Sequence, residues 1–112
     1  MGNETHRVII CETCAATGEA PCGAAFARDL RVLVPDSVGV ETTACMNLCE
    51  RPMALALRAR DCDAYLFGGV TPGDLADAAA LVRIYAKASD GRIEDARPAG
   101  RLRHCLVGRI PG

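Results

Sequence analysis

A chain of 112 residues, half of them apolar and 4% aromatic with no tryptophan, has the length of one modest domain whose core must come from Val, Leu, Ile and Ala. A formal charge of −1 argues against general nucleic-acid binding. No apolar run approaches the roughly 20 residues that span a bilayer, and the first ten lack a signal-peptide pattern.

These features predict a cytoplasmic protein that engages neither membrane nor nucleic acid. In a reducing compartment seven cysteines, an odd number, do not suggest a disulfide framework. Metal binding or redox chemistry is the better expectation.

In chain order, His6–Cys11 (HRVIIC) reads as a short buried strand ending on a cysteine. Residues 12–21 are small, polar and Gly-containing, hence a loop. Ala24–Val34 places Phe26, Leu30 and Leu33 at helical spacing, and Pro35-Asp36 closes it. Val38–Ala44 is β-branched and predicts a strand leading to Cys45. Met53–Arg60 (MALALRAR) is ambiguous: Ala and Leu prefer helix, while the alternation of Met53, Leu55 and Leu57 suits a strand. Asp61-Cys62-Asp63 is a tight turn, and Ala64–Phe67 returns as the second strand of a hairpin.

Thr71-Pro72-Gly73-Asp74 is a helix start, with a capping Thr, Pro at the first position and an acid at the third. Leu75, Ala78, Val82 and Tyr85 share one face through to Ala88, and Asp90-Gly91 ends the helix.

Residues 92–112 read as an extended tail. Arg92, Arg97, Arg101, Arg103 and Arg109 against Glu94 and Asp95 give the tail a net +3, which leaves −4 for the rest. A basic tail beside an acidic body predicts a solvated tail lying on its own domain, or else a docking or dimer segment.

The order β-α-β, hairpin, helix is that of a thioredoxin-like α/β domain spanning 1–112. In a parallel β-α-β unit the carboxyl ends of both strands lie at one sheet edge. Cys11-Glu12-Thr13-Cys14, with Cys22 on the same loop, would therefore meet Cys45-x3-Cys49. Four thiolates suit Zn²⁺ or an iron–sulfur cluster. Zinc ribbons usually pair two C-x2-C knuckles, from which C-x3-C departs. A [2Fe–2S] cluster takes two thiolates per iron and tolerates variable spacing.

Other chemistry is weaker. A Cys11/Cys14 dithiol redox pair would follow a strand rather than open a helix, and would leave Cys45 and Cys49 unused. His6 and His104 adjoin no cysteine pair and read as surface histidines, and a Rieske centre needs two histidines on one iron. Cys62 and Cys105 read as unliganded thiols. Gly68-Gly69 lacks the residues of a phosphate loop, and no nucleophile triad stands out.

These cysteines, the hairpin and the Thr71-Pro72 helix resemble the thioredoxin-like [2Fe–2S] ferredoxins. The V-I-I-C-E-T-C start, the C-x3-C, Y-L-F-G and Y-A-x-A-S-D-G-x-I at Tyr85–Ile93 resemble more closely the DUF1636 family of small predicted metal-binding bacterial proteins. The resemblance implies a non-enzymatic one-electron carrier with one [2Fe–2S] cluster, a redox partner protein and a homodimer. It also points to cobalamin or cobalt metabolism. The implied ligands are Cys11, Cys14, Cys45 and Cys49. The wider ferredoxin spacing selects Cys22 in place of Cys14. A Zn- or Co-binding protein on the same cysteines is the alternative. Glu12, Glu19 and Glu50 flank the cysteine loops and could steer a basic partner. Leu102, Leu106, Val107 and Ile110 are candidates to dock on a partner subunit or on their own domain.

Overall fold

The computed structural model describes residues 6–12, 23–44, 53–88 and 90–111. Five strands form one mixed sheet: β1 (His6–Cys11), β2 (Val38–Thr43), β3 (Leu55–Ala59), β4 (Ala64–Phe67) and β5 (Leu106–Ile110), in the order β2-β1-β3-β4-β5. β1 and β2 are parallel, and every other pair is antiparallel. Among the described residues two α-helices, α1 (Gly23–Leu33) and α2 (Leu75–Lys87), pack on this sheet.

Both helices cover the same face of the sheet. Side chains alternate along a strand, and Val8, Ile10, Leu55, Leu57, Tyr65 and Phe67 point into a core shared with Phe26 and Leu30 of α1 and Leu81, Val82 and Tyr85 of α2. The predicted helical stripe of α1 is seen at Phe26 and Leu30, while Leu33 is exposed. Pairing resolves MALALRAR. Residues 55–59 lie between β1 and β4 and are hydrogen-bonded on both sides, so sheet context overrides the helix preference of Ala and Leu.

The start of α2 follows its sequence signals. A 3₁₀ turn, Pro72–Asp74, precedes the helix. The buried Asp74 carboxylate accepts hydrogen bonds from the Thr71 N–H at 2.9 Å and the Thr71 hydroxyl at 3.0 Å. At the far end, Tyr85 donates its hydroxyl to the Asp63 carbonyl at 2.6 Å.

The tail is extended only at its end, and although most of its side chains are exposed, Ala99, Leu102 and Cys105 are buried. Residues Arg97–His104 coil into 3₁₀ turns against α2, with Ala99 and Leu102 fully buried, and residues 106–110 pair with β4 as the fifth strand. Arg101 fastens the coil. Its guanidinium meets Asp74 at 3.1 Å and the Gly69 carbonyl at 2.6 Å, and lies 3.1 Å from the Cys105 sulfur. Gly100 has φ +60°, and a Cβ there would stand 2.6 Å from the Asp77 carboxylate, so the coil can approach α2 only at a glycine. Arg109 and Arg92 reach Asp63 at 2.7 and 3.8 Å. The basic tail thus lies on acidic groups of its own body.

Candidate metal centre

β1 and β2 run side by side from His6↔Val38 to Cys11↔Thr43, so their carboxyl ends coincide. Cys11 is the last residue of β1 and is fully buried. Its S–H donates to the Ala44 carbonyl at 3.6 Å, and the N–H of Glu12 donates to Thr43 O at 2.9 Å. On its other side, the Cys11 N–H donates to Ala54 O at 3.0 Å.

The amino terminus of α1 presses against the same residue. A Cβ on Gly23 would collide with the Cys11 carbonyl oxygen and stand 2.8 Å from Glu12 Cα. Only a glycine lets the helix begin this close to the strand end. In the sequence Gly23 carries one signal, its place directly after Cys22.

Segments 13–22 and 45–52 therefore leave from, and return to, residues gathered around Cys11. Glu12 and Gly23 bound the first, and Ala44 and Met53 the second. Of the expected ligands, Cys11 is the one the structure places. Cys14, Cys22, Cys45 and Cys49 lie outside the described residues, as do Glu19 and Glu50. Among the described residues no cluster of three or more His, Cys, Asp or Glu side chains could hold a metal. Sulfur is the ligand type that zinc and iron–sulfur sites take, and the Cys11 sulfur sits beside the carbonyl of the residue that precedes Cys45.

The other cysteines stand apart. Cys62 follows β3, whose end pairs with the start of β1 at Ala59↔His6, so it lies at the opposite sheet edge from Cys11. Cys105 shares the edge of Cys11 but precedes β5, three strand spacings or about 14 Å away. It is buried against Arg101.

Neither histidine approaches Cys11. His6 occupies the other end of β1, and His104 is exposed beside Arg103. Contrary to the surface role expected for it, His6 is half-buried, its ring edge-on to Tyr85 at 5.5 Å. Tyr85 also meets Tyr65 at 6.0 Å. Burial, reinforced by Cys62, Tyr65 and Asp63, pushes the Tyr85 phenol up to about 12. In the tail, hydrogen bonds from Arg97 hold exposed Asp95 down at about 2. These shifted groups serve the scaffold rather than the Cys11 edge.

The fold is similar to that of a thioredoxin-like [2Fe–2S] ferredoxin from Aquifex aeolicus. In one solved structure of that protein the match covers 95% of this chain and 93% of the other, with a TM-score of 0.61 and 15% identity. In a second, a wild-type crystal structure, it covers 94% and 98%, with a TM-score of 0.52 and again 15% identity. At this identity the likeness establishes a thioredoxin-like α/β fold. No helix among the described residues is long and apolar enough to cross a membrane. No curated protein matches the chain in sequence. The family model described as "Protein of unknown function (DUF1636)" matches residues 8–112, and the chain belongs to that family.

Proposed function

We propose that the protein is an electron carrier holding one [2Fe–2S] cluster on Cys11, Cys14, Cys45 and Cys49, with Cys22 in place of Cys14 as the variant of that ligand set. The observation that carries this reading is the gathering of all four ends of the two cysteine-bearing segments around Cys11. A [2Fe–2S] cluster, when bound, supplies one-electron exchange with a redox partner protein. The chain's own part is to bury Cys11 at the end of a rigid strand while the cysteine segments leave from the sheet edge. Glu12, exposed beside Cys11, adds negative charge there for a basic partner.

The reading includes a cytoplasmic carrier without catalysis of its own. Its acceptor is sought first among enzymes of cobalamin and cobalt metabolism. It also includes a single domain over 1–112 and a homodimer. Among the described residues the outer edge of β5 pairs with no strand, and Leu106 and Val107 are exposed on it, which suits strand addition by a second copy.

The test is a visible spectrum with iron and sulfide analysis on protein purified without oxygen, repeated for Cys14→Ser and Cys22→Ser. The expected outcome is a red-brown protein with two irons and two sulfides per chain, the fourth ligand being named by the variant that loses its colour. A colourless protein carrying one zinc would overturn the electron-transfer reading in favour of a zinc- or cobalt-binding protein.

A further inference from the structure

The face of the sheet turned away from α1 and α2 is covered by no described element; it carries the exposed Arg7, Arg58 and Glu41 and, beside them, an apolar row. Ile9, Ala56 and Leu66 form a row across β1, β3 and β4, paired residue to residue, and all three are half-buried. A register irregularity at Leu66/Phe67 bends the β4–β5 pair, and bulges of this kind increase local twist. Ile110 and Pro111 at the end of β5 join that row in lining a groove of about 440 Å³. That volume falls in the range of small-molecule sites. Ile110 is 67% exposed at the groove's end.

A second, independent feature stands at the rim. Arg58 lines the groove, and Arg7 is its directly opposed partner on β1. Opposed residues project on the same face, and like charges placed so are destabilising. Both side chains are exposed, and among the described residues neither makes an ion pair or hydrogen bond, unlike Arg92, Arg101 and Arg109. A single anion between the two guanidiniums would relieve their repulsion and accept charge-assisted hydrogen bonds from both.

From the apolar row and the opposed arginines we infer that this groove binds an amphipathic anion, a small molecule with an aliphatic or aromatic body and a carboxylate or phosphate head. The body lies on Ile9, Ala56 and Leu66 under Ile110, and the head lies between Arg58 and Arg7. A second copy fits less well when centred on this rim, since it would set one arginine pair against another. The site is independent of what the Cys11 edge holds, so it stands or falls separately from the electron-transfer reading.

Calorimetric titration of the purified protein with octanoate, octyl phosphate and octanol tests it. Octanoate or octyl phosphate should bind at least about tenfold more tightly than octanol, a difference typical of one charge-assisted contact; whichever anion binds tighter names the head group. Arg58→Gln should reduce that difference severalfold, and Arg58→Gln with Arg7→Gln should abolish it. Leu66→Ser should weaken all three ligands, and Arg103→Gln, in the exposed part of the tail coil, should change nothing. Circular dichroism of each variant checks that it is folded. Equal binding of octanoate and octanol would overturn the assignment. So would octanoate binding no tighter than acetate, or a dimer that Leu66→Ser dissociates, which would make this face a subunit contact.

Discussion

Replacing Leu102 with alanine tests whether the arginine-rich tail is part of the domain's core. Leu102 is 0% exposed, held against α2 by the coil that Arg101 fastens. The substitution removes three carbons, about 2.4 kcal/mol of transfer free energy at roughly 0.8 kcal/mol each. The cavity left behind adds to this, and the coil can collapse only partly because Gly100 already abuts Asp77. The expected loss is about 3 kcal/mol, inside the usual span for buried leucines. At about 4 °C per kcal/mol for a domain of this size, the melting temperature should fall by about 12 °C. Thermal and urea unfolding followed by circular dichroism would measure it, with Leu106→Ala as the control. Leu106 is 44% exposed and should cost less than about 1 kcal/mol. A Leu102→Ala protein that melts within 2 °C of the parent would mean that the coil undocks in solution, and the assignment of the tail to the core would fail.

Gly100→Ala should destabilise by about 2–3 kcal/mol in the same assay, since it strains a backbone at φ +60° and drives a methyl into the Asp77 carboxylate; a neutral result would show that the coil shifts freely. Tyr85→Phe should cost about 1–2 kcal/mol at pH 7 by leaving the Asp63 carbonyl without its 2.6 Å donor. The same variant carries a pH signature. The unfolded phenol ionises near 10 and the folded one at about 12, so across that interval the folded state holds the extra proton and the parent loses stability as pH rises. The phenylalanine variant should lose less between pH 10 and 12, and urea midpoints that track the parent's would refute the burial of that hydroxyl.

Local pattern carried most of the architecture. The alternation in HRVIIC, the spacing of Phe26 and Leu30, and the Thr-Pro-Gly-Asp start each report a local requirement that one stretch of chain satisfies by itself. MALALRAR remained ambiguous because its residues suit either element, and only neighbours on both sides decide it. The tail was the least legible. Its order depends on Arg101 reaching Asp74 and on Gly100 meeting Asp77, contacts across more than twenty residues that Pro, Gly and arginine content disguise as an extended segment. Cys11 stands at the end of β1, as expected, and Gly23, Ala44 and Ala54, which flank the two cysteine-bearing segments, lie against it. The remaining expected ligands, Cys14 or Cys22 with Cys45 and Cys49, fall outside the described residues.

The fastening of those segment ends bears on what it costs to close them. Closing a chain segment of eight to ten residues costs about 2 kcal/mol in its length-dependent part alone. Here the hydrogen bonds of Cys11 and Glu12 to Ala54 and Thr43, and the seating of Gly23, close both segments within the folded sheet itself. The fold of a small zinc finger must wait for its metal. In this chain the apolar core and the β2-β1-β3 pairing themselves hold Cys11 and the neighbours of both segments in place. The entropy of bringing those ends together is therefore met by the sheet, and a ligand held by the two segments would not have to supply it.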